Sequence, residues 1–509
     1  MWSSLPIDLK YAVVKWCDVR SLLQLKACSK NTQDFFRCSP AWNTVAFAPN
    51  DFSKKRCREL VTAHTVHISM HDEDSDDLSE PSILPYIFST CTRLEELDLS
   101  WESIGKSSPV PASLHFLSIY RIVDVSMLQR CSQLSTLKII SDLPVKSFTF
   151  LDSLPALTHL HVGFGLQYDE VPDLEPLARL PCLTHLTLNE LWNVASSELE
   201  PLSRCNNLES LSLRDLRPVR GQLDLSVLLQ CKIQKLFLEN CKTLRDLTPL
   251  ADLPELRWLD VSQTNVQSLE PIRSCTQLQV LVLTLTAVES LEPLEACVHL
   301  WFLQIDNTRV KNLKPLAHCP KLKTLSMRET LIQDIGVLEQ CRELWRVDLL
   351  NCSKSISLEP LIQCPRLTHL NYSFFHKRNI DFIACCGQLE HLSLIACPGA
   401  NDNLVSLRSC VRLRIFYLRG VSRHHSDLSF LEHAPDLEYV QLGGWGFRDI
   451  SGLKNCQKLS QLVLDHTLVE DISPLKSCQN LRELHVDREY PAEQIQALKL
   501  SNPCLSIID

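Results

Sequence analysis

Leucines and other large apolar residues recur along most of this chain in the pattern L-x-x-L-x-L, with mainly polar residues between them. Three examples are CTRLEELDL (91–99), CTQLQVLVL (275–283) and CQNLRELHV (478–486). The first apolar position runs from Leu94 to Leu481 in 18 units, spaced 20 to 26 residues apart and most often 22. In L-x-L the apolar residues point to one face of a strand and the x residues to the other. The pattern therefore predicts stacked parallel strands that share one interior.

The second half of each unit predicts a tight turn instead of a long helix. Five units carry a threonine just after the strand: Thr264, Thr286, Thr308, Thr330 and Thr467. Such a hydroxyl can bond a backbone group where the chain leaves the sheet. Prolines then recur at one phase: Pro271, Pro293, Pro315 and Pro474. Because proline suits a first helical turn but not a helix interior, we expect mostly short 3₁₀ or extended segments on the convex side.

This repeat resembles the 22-residue leucine-rich-repeat class of the nuclear regulatory subunit of type-1 protein phosphatase and of bacterial internalins. The resemblance covers residues 91–507. It implies an α/β fold, a leucine-rich-repeat solenoid with a parallel sheet on its concave face.

Composition narrows the possible functions. The chain has 509 residues, 12 glycines and a formal net charge of −9. With so few glycines, glycine-rich phosphate-binding loops are not expected. The mild negative charge argues against nucleic-acid binding and against a polybasic membrane patch. Asp8 and Lys10 interrupt the apolar core that a secretory signal would need. We therefore expect protein partners, with neither a nucleic-acid nor a membrane partner.

The 23 cysteines are spread along the chain, and several occupy one repeat position, such as Cys275, Cys297, Cys319 and Cys341. Small buried thiols would fill the corner that leads into each strand. Zinc sites usually show close pairs such as C-x-x-C, and the sequence contains no such pair. We therefore expect reduced, mostly buried cysteines, no metal and no cofactor, in a cytoplasmic or nuclear compartment.

Residues 1–50 depart from the repeat and show helical spacing, as in Leu9, Val13 and Trp16. The opening Leu5-Pro6 with Asp8, the run Ser21–Leu25 and the late Trp42 resemble the F-box family. The family's usual tryptophan just after the second helix is missing here. The resemblance implies that the module docks on the small adaptor of a cullin ubiquitin ligase while the repeats hold the substrate. The adaptor-facing positions that match are Leu5, Pro6, Leu9, Leu22 and Leu25.

An N-terminal helical cap over the first repeat is the alternative for residues 1–50, because every solenoid must cover its end. In that case the chain would be a leucine-rich-repeat adaptor without an F-box, or a phosphatase-type regulatory subunit. The domain prediction is an F-box-like helical module at 1–50, and a linker with an irregular first repeat and an acidic loop at 51–90. A solenoid of about 18 units with a C-terminal cap follows at 91–509.

The x positions of the strands would form the concave face and carry many large side chains. Solvent-facing aromatic residues are typical anchors of protein interfaces. The predicted partner-binding positions are Trp101, Phe116, Tyr120, His159, His161, His185, Phe237, Trp258 and Phe302. The histidines could also hold a metal or respond to pH, but the same columns show no obvious carboxylate or thiolate to complete a metal site. Because the sequence shows no nucleophile–base pair and no paired carboxylates, we expect a binding protein and not an enzyme.

Overall fold

The structure is a computed structural model of the full chain. It describes residues 44–47, 67–70, 84–91, 93–104, 110–122, 125–140, 148–164, 171–218, 223–352, 356–374, 380–396, 404–420, 428–444 and 446–508. The chain divides into two compact units, unit 1 at residues 1–244 and unit 2 at residues 245–509.

Unit 1 contains a parallel sheet built from the L-x-L segments. Its strands are β1 (Thr44–Phe47), β2 (His67–Met70), β3 (Glu96–Ile104), β4 (Phe116–Ile122), β5 (Thr136–Ile139), β6 (His159–Gly163), β7 (His185–Asn189), β9 (Ser210–Ser212) and β11 (Lys235–Phe237), which pair in that order. A second parallel pair joins β8 (Trp192–Val194) and β10 (Arg217–Pro218). The α-helix α1 (Leu84–Thr90) precedes β3, and 3₁₀ helices follow at Val125–Arg130, Thr149–Ser153, Glu175–Arg179, Ser196–Arg204 and Ser226–Leu228.

Unit 2 repeats the same architecture. Its parallel strands pair in chain order: β12 (Trp258–Asp260), β13 (Val280–Val282), β14 (Phe302–Gln304), β15 (Thr324–Ser326), β16 (Arg346–Leu349), β17 (His369–Phe374), β18 (His391–Ala396), β19 (Ile415–Arg419), β20 (Tyr439–Gly443), β21 (Gln461–Asp465), β22 (Glu483–Val486) and β23 (Ser506–Ile508). The 3₁₀ helices are Thr248–Asp252, Glu270–Ser274, Glu292–Ala296, Lys314–His318, Gly336–Gln340, Glu359–Gln363, Asp381–Cys385, Leu404–Ser409, Ser429–His433, Ser451–Asn455 and Ser473–Ser477.

The chain ends with the α-helix α2 (Ala492–Ser501), which packs against the last 3₁₀ helix. The side chain of Gln494 accepts a hydrogen bond from the backbone N–H of Ile472 at 3.0 Å. None of the described helices is both long and apolar enough to cross a membrane.

The predicted fold is confirmed. Each of the 18 predicted units contributes one strand, seven in unit 1 (β3–β7, β9 and β11) and eleven in unit 2 (β12–β22). Short 3₁₀ helices follow the strands, as the prolines predicted, and Pro271 and Pro293 stand in the first turn of theirs. The sequence also indicated β2, but not α1, β1 or β23. Strand β1 lies inside segment 1–50, for which the sequence predicts a helical module, and the other residues of that segment are outside the described residues.

The core of each unit is made of the inward leucines of the strands and of the 3₁₀ helices. Leu137 and Leu259 on strands, and Leu151 and Leu294 on 3₁₀ helices, have no measurable solvent exposure. Fully burying such a side chain stabilises the fold by roughly 1.5–3 kcal/mol. This continuous apolar interior keeps successive strands in register.

A left-handed residue ends many of the strands. Gln263, Leu285, Asn307 and Glu329 have φ between 55° and 59°. The threonine that follows each of them donates its hydroxyl proton to the carbonyl three residues back, at 2.6 to 2.8 Å. The hydroxyls therefore hold the turn, as predicted. Thr467 is the exception, because its buried hydroxyl oxygen has no hydrogen-bond partner among the described residues.

Candidate protein-binding face

The residues that alternate with the buried leucines line the other face of each sheet, which we call the open face. Parallel pairing in register places equivalent residues of successive units side by side, about 4.8 Å apart. In unit 1, one such column contains Glu96, Phe116, Thr136, His159, His185, Ser210 and Lys235. The next column contains Asp98, Ser118, Lys138, His161, Thr187, Ser212 and Phe237. Each unit thus presents ordered rows of side chains.

Two of the predicted partner-binding histidines are in direct contact. The rings of His159 and His185 stack with centroids 4.1 Å apart and planes within 15°. Each ring nitrogen Nδ1 lies 2.9 Å from the hydroxyl oxygen of the preceding threonine, Thr158 or Thr184. Burial is the main cause that lowers the pKa of His185, and His159 lowers it further. Burial and the stacked neighbour therefore favour the neutral form of His185.

His161 lies beside His159 in the second column, next to two cations. Burial lowers its pKa to about 4, and the positive charges of Lys138 and Arg214 contribute to the decrease. The guanidinium of Arg214 sits 5.3 Å from the ring centroid of Phe237. The structure therefore places His159, His161 and His185 on the adjacent strands β6 and β7, and Phe237 on β11 of the same face, with β9 between β7 and β11.

The other predicted positions of unit 1 lie apart from this group. Phe116 and Tyr120 are on β4, which β5 separates from the histidines of β6. Phe116 is half-buried, and the side chain of Tyr120 is 42% exposed. Trp101 belongs to β3, but its side chain is outside the described residues, as are the predicted adaptor-facing positions: Leu5, Pro6, Leu9, Leu22 and Leu25.

Trp258 and Phe302 lie on the open face of unit 2, and both are half-buried. Val280 separates them in the same column and is only 2% exposed. The ring of Trp301 meets that of Phe302 edge-on, with centroids 5.8 Å apart. The two predicted anchors therefore do not touch along this column but flank a covered valine.

A row of five aromatic rings in unit 2 extends beyond the predicted set. Consecutive ring centroids are 4.8, 5.4, 5.5 and 5.0 Å apart along Trp345, His369, His391, Tyr417 and Tyr439. Burial is the main cause that lowers the pKa of His369, and burial with the neighbouring His369 lowers that of His391 to about 4. Four of these residues occupy outward positions of successive L-x-x-L-x-L segments, and the sequence pattern indicates them: His369, His391 and Tyr439 stand at the third position and Tyr417 at the fifth.

The repeated cysteines face the interior and not the open face. Cys275, Cys297, Cys319 and Cys341 are buried, and all 18 described cysteines are free. The thiol of Cys275 lies 3.3 Å from the carbonyl oxygen of Leu250. Burial raises the pKa of Cys275 to about 12 and that of Cys297 to about 11. Thiols that stay protonated at neutral pH are poor nucleophiles and poor metal ligands, so packing is what these side chains contribute.

Asp465, His466 and Asp487 come close enough together to share a cation. His466 and Asp487 are exposed, and Asp487 already accepts hydrogen bonds from the backbone N–H of His466 at 2.6 Å and from its ring. These bonds close the turn after β21, where His466 has φ 53°. The hydrogen bonds of this turn therefore explain why the three side chains lie close together.

Comparison with known proteins identifies the two parts of the chain. Residues 2–44 match the family model of the F-box domain. A leucine-rich-repeat protein of Leptospira interrogans is similar in structure, with 14% sequence identity and a TM-score of 0.51, and the match covers 76% of this chain and 98% of that chain. An internalin of Listeria monocytogenes has 19% identity and a TM-score of 0.42, with 72% and 90% covered.

No curated protein matches the chain significantly. The likeness to the Leptospira protein establishes the fold of the repeats, and the family model accounts for the departure from the repeat at the N-terminus. The chain therefore carries a match to the F-box domain at residues 2–44 together with a leucine-rich-repeat array, in agreement with the two resemblances found in the sequence.

Proposed function

We propose that this chain is a substrate-recognition subunit of a cullin-type ubiquitin ligase, without catalytic activity of its own. The observation that carries the proposal is the presence of an F-box match at residues 2–44 on the same chain as a leucine-rich-repeat sheet. The F-box would bind the ligase adaptor through Leu5, Pro6, Leu9, Leu22 and Leu25. The family match favours this function over that of an adaptor or phosphatase-type regulator whose N-terminus is only a cap.

The target would bind on the concave, open face of the repeats. Aromatic and histidine side chains at fixed spacings, most of them half-buried, support this proposal, because rigid anchors lose little conformational entropy when a partner covers them. The free, mostly buried thiols support a reducing cytoplasmic or nuclear compartment. The partners would be proteins, and neither nucleic acid nor a membrane is required.

The adaptor part of the proposal is tested in the full-length protein. We expect the Leu22→Asp and Leu25→Asp variants to lose co-purification of the cullin adaptor, because a buried carboxylate would replace an apolar contact. Leu500→Asp is the matched control, since Leu500 is 84% exposed on α2 and its replacement should leave the adaptor bound.

Unchanged thermal unfolding of the repeats in the two F-box variants would exclude global misfolding as the cause. If the parent protein captures no cullin adaptor, or if Leu22→Asp and Leu25→Asp capture as much as the parent, the ligase role is wrong.

A further inference from the structure

Six basic or imidazole side chains gather on the open face of unit 1. They are Lys138 on β5, His159 and His161 on β6, His185 on β7, Arg214 just after β9, and Lys235 on β11. We call this group the basic patch. Its five strands are neighbours in the sheet, so the patch spans about 19 Å at the usual strand separation.

Two of the three cations of the basic patch have no ion-pair partner among the described residues. Within the described part of the chain, Lys138 and Lys235 form no ion pair, whereas Arg214 forms a partly exposed ion pair with Glu239 at 3.6 Å. Glu209 is a carboxylate close enough to influence His185. The chain as a whole carries a formal charge of −9, whereas this patch holds three cations. Unpaired cations on a sheet face favour a partner that brings carboxylates.

The two stacked histidines add hydrogen-bond acceptors to the same surface. The hydroxyl of Thr158 donates its proton to the carbonyl of Ser135 at 2.9 Å, so its oxygen is left to accept from Nδ1–H of His159. Thr184 repeats this arrangement with the carbonyl of Thr158 at 3.1 Å and with His185. In the neutral form of either ring, Nε2 is therefore the unprotonated nitrogen, which can accept a hydrogen bond from a ligand.

A ligand that satisfies the whole basic patch must bring both negative charges and hydrogen-bond donors. A protein segment with acidic side chains does so, because its backbone N–H groups can donate to the histidine nitrogens while its carboxylates meet the cations. The phosphates of a nucleic acid provide acceptors but no donors. A span of about 19 Å accommodates roughly six residues of extended chain.

We propose that the basic patch binds an acidic, extended segment of a partner protein, with Lys138, Arg214 and Lys235 meeting its carboxylates. This inference rests on the proposed role of the repeats in target recognition and specifies the chemistry of the target. Phe237, below the guanidinium of Arg214, keeps that cation in position on the face.

The probe is a fluorescein-labelled dodecapeptide of alternating glutamate and serine, and binding to the purified full chain is measured by fluorescence anisotropy. We expect binding that weakens as salt is raised, and that is lost with a peptide of alternating glutamine and serine. The double substitution Lys138→Gln and Lys235→Gln should weaken binding about ten-fold. Lys232→Gln, an exposed lysine of the same unit that lies before β11, is the matched control and should bind as the parent does.

Equal affinity of the double variant and the parent would overturn the proposal, and so would the absence of salt-sensitive binding of the glutamate peptide. A labelled oligouridylate of the same length serves as the competing polyanion. If it binds as tightly as the peptide and depends on the same lysines, the patch is a nucleic-acid surface and the proposal is wrong. The peptide-binding assay contains no ligase adaptor. If the peptide does not bind, the F-box proposal still stands, and if the adaptor does not co-purify with the chain, the peptide-binding result is unaffected.

Discussion

Thr264 and Thr467 occupy the same position in two repeats of unit 2, but their hydroxyls are in different situations. Thr264 donates to the carbonyl of Val261 at 2.6 Å, whereas the buried hydroxyl oxygen of Thr467 has no partner among the described residues. Both side chains are nearly buried, at 4% and 6% exposure. Burying a polar group without a hydrogen bond costs free energy, so the two hydroxyls should contribute to stability with different signs.

We therefore expect Thr264→Val to lower the free energy of unfolding by about 1–2 kcal/mol, because a buried carbonyl loses its donor. Thr467→Val should leave it unchanged or raise it slightly, because an unpaired hydroxyl is replaced by a methyl group of similar shape. Urea unfolding followed by circular dichroism measures both values. Equal losses in the two variants would contradict this account of the turn.

Leu285 has φ 59° and an exposed side chain, so it adopts the left-handed conformation without the benefit of burial. That conformation costs a non-glycine residue about 1–2 kcal/mol, and asparagine tolerates it better. The equivalent residue of the next repeat is Asn307, with φ 55°. We expect Leu285→Asn to stabilise unit 2 by about 0.5–1 kcal/mol in the same urea assay.

Leu331→Asn is the control for that substitution, since Leu331 is similarly exposed, at 58%, and is not among the residues with positive φ. It should change stability by less than about 0.5 kcal/mol. A Leu285→Asn variant no more stable than Leu331→Asn would show that the left-handed leucine is not strained.

The buried cysteines should resist alkylation in the native protein. Burial raises the pKa of Cys275 to about 12, and its thiol is inaccessible, whereas Cys182, Cys385 and Cys504 are exposed. Because the thiolate is the reactive form, iodoacetamide at neutral pH should modify the three exposed cysteines well before Cys275. Peptide mass spectrometry over a time course measures the order. Modification of Cys275 as fast as Cys182 would contradict a packed interior there.

His391 should make the protein less stable in mild acid. Burial, His369 and Arg346 lower its pKa from 6.5 to about 4, and Asp348 opposes them. Between those two values the unfolded chain binds a proton that the folded chain does not, so stability falls as pH falls through this window. We expect His391→Gln to show a smaller decrease in Tm between pH 7 and pH 5 than the parent.

His433→Gln, at an exposed histidine of the same unit, is the control and should follow the parent at both pH values. The prediction is wrong if His391→Gln loses as much Tm as the parent does on acidification.

The period of the apolar residues was sufficient to predict the strands, their inward leucines and the short 3₁₀ helices. Local spacing carries this information for two reasons. Successive side chains of a strand point to opposite faces, so the face depends only on whether the position is odd or even. Proline restricts the backbone only of the turn that contains it. The 18 units predicted from this spacing correspond to 18 strands in the structure. The residues that resemble an F-box lie within the segment 2–44 that matches the family model. Strand β1 was missed because its four residues fall where the N-terminal pattern looks helical.

The tertiary structure decided which outward side chains meet. His159 and His185 are 26 residues apart and stack, because the extra residues of that unit lie outside the strands and leave the pairing in register. Lys138, Arg214 and Lys235 were not among the predicted positions, since isolated basic residues in the sequence look like ordinary solvated side chains. Their significance arises from their gathering on one face, where Lys138 and Lys235 have no ion-pair partner among the described residues, and that arrangement depends on contacts between different repeats, which a pattern along one chain does not encode.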